Sequence, residues 1–570
     1  MFSDLPDRVE GMMDWTWVEI SPFYGDLMAR PLTADTVHDW LSDWTELGEL
    51  LSEWQSRLRV VTTQDTTNIE AEATLNEFMT AVYPHIQRAD TDLKQKLLES
   101  GLQPDGLEVA LRNMRVDAEL FTEANLPLVA ETVKLSHHYN KIIGSQTVMW
   151  QGEELTLTQL ATQLQTPERP VREQGWHLIA RRRQQDRQAL NKLWSELFQL
   201  RQQMADNAGY DDFRAYTWRQ KRRFAYSPED AATFQQAILE VGVPAASRVY
   251  ERYRQRLGVT RLRPWDVKAD IFPYNLPAIQ PFADIDELAA TATHVFHQVD
   301  PDLGAYFNTM RQEDLLDLPN RKGKAPGAYC TNYSARQRPF IFMNSVGSGE
   351  DVRTLLHEAG HAFHNFERNK LTYQQQKGSP MEFSEVASMA MELLAIPYLG
   401  KERGGFFTVA ELGRWQNGLL EKIILFWPYM AVVDAFQHWA YMNPKQGVRA
   451  DACDDKWSEL WQQYIPDVDF TGLEEVMMTG WQRKQHIFRS PFYYIEYGLA
   501  QLGALQVWRN ALVDQPQAVW AYRRALALGS TRPLPELYAA AKARFAFDRA
   551  IMKEMIQFLE AQLHSLNGTS

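Results

Sequence analysis

The chain has 570 residues, 45% of them hydrophobic, and a formal net charge of -14. That length allows a large core, in several domains or in one two-lobed body. The acidic balance argues against a nucleic-acid-binding protein, which needs a basic footprint.

Residues 1–17 carry Asp4, Asp7, Glu10 and Asp14 and no apolar segment, so they do not read as a signal peptide. No run of about 18 apolar residues occurs, so no membrane span is expected. Leu41, Trp44, Leu47, Leu51, Trp54 and Leu58 recur at spacings of three and four, which predicts an amphipathic helix. The same periodicity predicts helices over 71–83, 107–122, 172–206, 228–257, 409–442 and 534–566. Arg181, Arg182 and Arg183 read as a solvated helix face. Proline-containing breaks are expected at 166–170, 261–265, 272–281 and 319–326. The coarse division is a helical N-terminal lobe over 1–200 and a larger part over 201–570 that holds the motif described below. Two cysteines, Cys330 and Cys453, make neither a disulfide framework nor a metal-type spacing. A reducing, cytoplasmic location is expected.

One region departs from helical periodicity. Residues 327–333 and 339–344 are rich in aromatic and branched side chains and flank a polar stretch, which predicts a β-hairpin. Ser348, with Asp351 three residues on, then marks a helix start. In this helix His357 and His361 are four apart and share a face. Two imidazoles so placed suit one tetrahedral zinc ion. Glu358, turned about 100° from His357, is placed to act on a water molecule rather than to join the ligands. Leu355, Leu356, Ala359, Ala362 and Phe363 make the helix apolar nearly all round, so it reads as buried.

A third histidine further along the same helix would have to stand at position 367 after a glycine at 364, and here those positions hold Glu367 and His364. A carboxylate from a second helix is the other source. Ser379, Pro380 and Glu382 read as the start of that helix, with Glu382 closing a capping box. Glu385 and Glu392, seven apart on one face, interrupt its apolar run. We therefore read Glu385 as the third metal ligand and Glu392 as the acceptor for a ligand histidine N–H; a surface-facing pair of glutamates is the alternative. Three protein ligands are the mark of a catalytic rather than a structural zinc site. Further on, His486, Tyr493 and Tyr497 carry groups able to donate to an oxyanion, although aromatic stripes also commonly pack a core.

These segments, in this order, resemble the thimet oligopeptidase and oligoendopeptidase F family of zinc metallopeptidases, and most of all its bacterial oligoendopeptidase F branch. The resemblance rests on His357-Glu358-Ala359-Gly360-His361-Ala362-Phe363-His364, on the stretch from Glu382 to Glu392, and on His486, Tyr493 and Tyr497. Upstream, 113–121, 142–146, 210–216 and 262–266 also resemble that branch. The resemblance implies a mainly α, two-lobed fold, with a small β-sheet beside the zinc helix and a deep central channel. It implies one Zn²⁺ per chain and cleavage of internal bonds in short peptides; the ligand types themselves do not exclude cobalt or manganese in the same site. Glu358 would be general base and acid, with Tyr493, Tyr497 and His486 around the oxyanion. His364 is expected beside the ligands or in the core. The strand carrying Gly327, Ala328 and Tyr329, or else the stretch 340–343, is a candidate for pairing with an extended peptide; a purely structural hairpin is the other reading. Nucleic acid and membrane are not expected partners. A carboxypeptidase on the same metal plan and an inactive peptide-binding protein are the rival functions.

Overall fold

A computed structural model describes residues 2–267 and 279–568 and is mainly α-helical, with two small sheets. The break expected over 272–281 falls largely outside the described residues. The chain forms two compact units, each assembled from three segments.

The first unit comprises Met1–Ala118, Ala278–Leu412 and Gly503–Phe545. Its helix α1, Val37–Gln64, buries Trp40, Leu41, Trp44, Leu47, Leu51, Trp54 and Leu58. Each such side chain stabilises the fold by about 1.5–3 kcal/mol. The helix expected over 71–83 is part of a longer run in which Ile69–Glu77 and Tyr83–Glu99 flank a π turn at Phe78–Val82. Pro84 explains the irregularity. It cannot donate to the carbonyl four residues back, and the ladder widens so that the Tyr83 N–H reaches the Phe78 carbonyl.

The expected hairpin is present, together with a strand that periodicity did not reveal. Strand β1 is Leu316–Pro319, β2 is Tyr329–Tyr333 and β3 is Arg338–Ser345, in the order β1-β3-β2. Strand β3 is central, parallel to β1 and antiparallel to β2. Phe340, Ile341, Phe342 and Met343 are all buried in it, as in a strand covered on both faces. The buried Lys324 ammonium donates to the carbonyls of Asp317, Pro319 and Met343 and to the Asp317 carboxylate, tying the connecting loop to the sheet. Strand β3 leads into helix α2, Gly349–Arg368, which packs against helix α3, Met381–Leu394.

The second unit comprises Glu119–Pro277, Gly413–Leu502 and Ala546–Ser570. The helix expected over 172–206 is two helices, Arg169–Gln185 and Arg187–Asn207, because Asp186 leaves the helical conformation with ψ near 2°. The one expected over 228–257 contains a π turn at Ile238–Gly242, again just ahead of a proline, Pro244. Thr147–Trp150 and Glu153–Thr156 form a hairpin across Gln151 and Gly152, both with positive φ, as a two-residue turn requires. Helix Val409–Met442 runs through Pro428 as expected. The expected 534–566 helix is instead two, Leu534–Ala540 in the first unit and Arg549–Gly568 in the second, and Lys542 between them has a left-handed φ of 58°. Among the described residues no helix is long and apolar enough to cross a membrane.

Candidate metal centre

Helix α2 begins as its sequence requires. Ser348 is the N-cap, its hydroxyl accepts from the Asp351 N–H, and the Asp351 carboxylate accepts from the Ser348 N–H. This fixed start, directly after β3, sets the rotation of the helix and so the direction of His357 and His361. The imidazoles lie with ring centroids 5.0 Å apart.

Helix α3 begins differently from expectation. Its N-cap is Pro380, in an extended conformation with ψ of 140°, and no side chain caps it. The helix starts one residue late for Ser379 to serve, and Glu382 is buried instead of closing a capping box. The register of the helix nevertheless brings Glu385 to the two histidines. His357 Nε2 lies 3.6 Å and His361 Nε2 3.8 Å from Glu385 Oε2. One ligating atom from each of the three residues lies within 4.8 Å of the other two. Ligands about 2.0–2.1 Å from one tetrahedral ion would stand about 3.4 Å apart, so Glu385 Oε2 need close by only a few tenths of an ångström on each imidazole to share a zinc ion with them.

The close approach of α2 and α3 depends on a glycine. A Cβ placed on Gly360 would lie 2.6 Å from both the Ala387 carbonyl oxygen and the Ser388 Cα. The Ala387 carbonyl also accepts a hydrogen bond from the Tyr522 hydroxyl at 2.7 Å. Ser388, fully buried, donates from its hydroxyl toward Glu385 Oε2 at 3.2 Å and the Glu385 carbonyl at 3.0 Å. In the sequence Gly360 stands only as part of the motif that carries the family resemblance and Ser388 not at all, since small residues in an apolar helix carry no periodic signal.

The remaining carboxylates surround the histidines. Glu392 Oε1 lies 2.7 Å from His357 Nδ1, which sets the ring so that Nε2 faces Glu385. Arg353 approaches the other Glu392 oxygen at 3.6 Å. Burial would lower the His357 pKa, but the hydrogen bond to Glu392 and the charges of Glu392, Glu358 and Glu385 outweigh it and raise it to about 9. This excess of negative charge is what a cation site requires. His361 is held well below its ordinary value, mainly by burial and then by the charge of His357. Glu358 is only 6% exposed, and its Oε2 has no hydrogen-bond partner among the described residues. Burial, assisted by Glu385 and Glu392, pushes its pKa up to about 7, where a carboxyl group can both take and give a proton.

His364 is 3% exposed, packs edge-on against Phe383 with centroids 6.2 Å apart, and is kept neutral by burial, its pKa down to about 3. It is not one of the three converging residues. Gly327, Ala328 and Tyr329 lead into β2, an edge strand, whereas 340–343 is paired on both sides and is unavailable for strand addition. Gly327 is exposed with φ of 98°, and the Tyr329 hydroxyl is hydrogen-bonded to Thr63.

His486, Tyr493 and Tyr497 belong to the second unit, where they form one cluster. Centroids are 5.8 Å apart for His486 and Tyr493, 6.0 Å for His486 and Tyr497, and 5.2 Å for the two tyrosines. Tyr497 lies on helix Tyr494–Ala511, and Tyr493 immediately precedes that helix rather than lying on it. Phe492, before it, holds a positive φ of 60°; its N–H donates to Gln437, and its carbonyl accepts from Arg223. His486 is kept neutral, its pKa down to about 3, by burial and then by Lys484, Arg489 and Lys221.

A model of Peptidase family M3 matches residues 162–556, more than half of the chain. The oligoendopeptidase F homolog of Mycoplasma pneumoniae is 22% identical over 308 residues, 49% of this chain and 46% of that relative. The homolog of Borreliella burgdorferi is 23% identical over 235 residues, 40% of this chain and 38% of the relative. The chain thus matches less than half the length of these curated relatives. Among solved structures, PZ peptidase A in complex with an inhibitor matches over 100% of both chains, with a TM-score of 0.89 and 25% identity.

Proposed function

The chain belongs to Peptidase family M3, and from that premise we propose that it is a zinc-dependent endopeptidase acting on internal bonds of short oligopeptides. The observation that carries this reading is the convergence of His357 Nε2, His361 Nε2 and Glu385 Oε2 beside a buried Glu358 oxygen without a hydrogen-bond partner among the described residues.

His357, His361 and Glu385 would hold the ion, which when bound supplies Lewis acidity toward a scissile carbonyl. Glu358 takes the proton of the attacking water, holds it on its carboxyl group, and delivers it to the leaving amine nitrogen. A carboxyl with a pKa of about 7 is matched to both transfers. Glu392 keeps the His357 proton on Nδ1 and the ring in place. Ser388 holds the orientation of the Glu385 carboxylate. We assign to the Tyr493 and Tyr497 hydroxyls, with neutral His486 beside them, donation to the carbonyl oxygen as charge builds on it. An extended peptide would pair along Gly327 and Ala328 and the edge strand β2 that begins at Tyr329. Both cysteines are free, which suits a reducing cytoplasm.

Product mapping on a peptide blocked at both ends separates the readings. An endopeptidase cuts it internally, whereas a carboxypeptidase leaves it intact until the C-terminus is freed. Absence of turnover on both blocked and free peptides by the zinc-loaded protein would leave only the peptide-binding role.

A further inference from the structure

The second unit contains a partly open cavity of about 380 Å³, within the size range of small-ligand sites. Trp176, Ile179, Phe426, Tyr429, Trp461 and Met477 contribute to its apolar wall. Three cationic side chains also line it, Arg183, Arg483 and Lys422, and no Asp or Glu does so among the described residues. The Trp461 indole N–H is shielded from solvent and has no acceptor among the described residues.

Arg183 is the informative residue. Sequence periodicity reads it as part of a solvated face, yet it is half-buried. Other arginines of this unit face carboxylates: Arg172 meets Asp266 at 3.2 Å, Arg187 meets Asp454 at 2.6 Å and Arg223 meets Glu496 at 2.7 Å. Arg183 makes no such ion pair among the described residues. Burial, and then the charge of a second cation, Arg483, hold its pKa down to about 10 against the opposing influence of Tyr139 and Tyr429. A half-buried guanidinium that feels the charge of a second, exposed one is stabilised when an anion joins them.

We propose that this cavity binds the C-terminal residue of a peptide, with an aromatic or branched side chain against the Trp176, Phe426 and Trp461 wall and the α-carboxylate on Arg183 and Arg483. A carboxylate matches the planar fork of a guanidinium, which makes arginine the suited partner. A free amino acid offers the same carboxylate but carries its ammonium into a site lined by three cationic side chains, so an acylated nitrogen is favoured. That the occupant is a peptide rests on the proposed peptidase function; the anion-binding cavity does not.

The test is calorimetric titration of the full-length wild-type protein with N-acetyl-L-phenylalanine, its C-terminal amide, and free L-phenylalanine. The acid is expected to bind with a Kd on the order of 0.1–1 mM, and the amide and the free amino acid at least about tenfold more weakly. Arg183→Gln should weaken the acid about tenfold and leave the amide unchanged. Arg483→Gln, at an exposed side chain, should do the same without risk to folding. Equal binding of acid and amide, no binding of the acid, or unchanged acid affinity in the two variants would overturn the site. Free phenylalanine binding as tightly as the acetylated acid would overturn the peptide as occupant. Failure of the metal reading would appear as lost metal stoichiometry or turnover and would leave these titrations as they are.

Discussion

Gly360 of helix α2 faces the carbonyl oxygen of Ala387 in helix α3 so closely that a methyl group on it would lie 2.6 Å from that atom. The obstruction is backbone, so it cannot rotate away. Gly360→Ala should push the helices apart, destabilise the protein by about 1–3 kcal/mol and weaken metal binding together with stability. Thermal unfolding and a chelator competition measure the two effects. Gly25→Ala is the control. It lies in a helix with nothing within 4 Å of the added carbon, and it should be neutral or stabilising by up to about 1 kcal/mol.

Glu392 should matter to the metal without touching it. Glu392→Gln removes the charge that accepts from His357 Nδ1, and metal affinity should fall about 10- to 100-fold while the fold persists. Competition with a metal indicator reads the affinity, and circular dichroism reads the fold. An unchanged affinity would mean that Glu392 serves packing alone.

The tyrosines of the second unit carry a separable prediction. Tyr493→Phe and Tyr497→Phe remove only a hydroxyl, so zinc content should remain at one per chain. If one of the hydroxyls donates to the developing oxyanion, its loss should reduce kcat about 10²- to 10³-fold with little change in KM. Core packing alone would predict no such loss in either variant.

Acid should weaken the protein through His364. Its folded pKa of about 3 lies below the value of about 6.5 for an unfolded histidine, so the unfolded chain binds the extra proton between those limits. The stability is fully present above pH 6.5 and falls as pH drops toward 3, by about 2 kcal/mol at pH 5. His364→Asn should flatten this part of the profile. Denaturant titrations of chelated protein at pH 7 and pH 5 test it without interference from metal release.

The convergence of His357, His361 and Glu385 was legible in the sequence because it obeys helical geometry. His357 and His361 are one turn apart, and Glu385 and Glu392 two turns apart in a segment otherwise apolar, so each pair announces a shared face. What supports that set was not legible. Gly360 and Arg353 act across the boundary between α2 and α3, and no local pattern encodes which residues of two helices meet; Ser388 acts on Glu385 within α3, but a small residue in an apolar helix carries no periodic signal. Strand β1 escaped notice because its partner β3 follows it with β2 in between. The π turns ahead of Pro84 and Pro244 and the break at Asp186 lie inside stretches whose apolar spacing continues uninterrupted. Arg183 was misread for a related reason: its polar neighbours Arg181 and Arg182 describe the local composition, whereas its burial is set by distant segments. The two units are likewise each gathered from three separated stretches, an arrangement that composition along the chain does not mark.

In the proposed function Glu358 moves the proton and does not hold the metal. Elemental analysis and turnover of an internally quenched peptide, measured on the same preparation of Glu358→Gln, test it most directly. The expected result is one zinc per chain, as in the wild type, with turnover reduced by about 10³-fold or more. Full turnover in that variant would contradict it, and so would loss of the zinc.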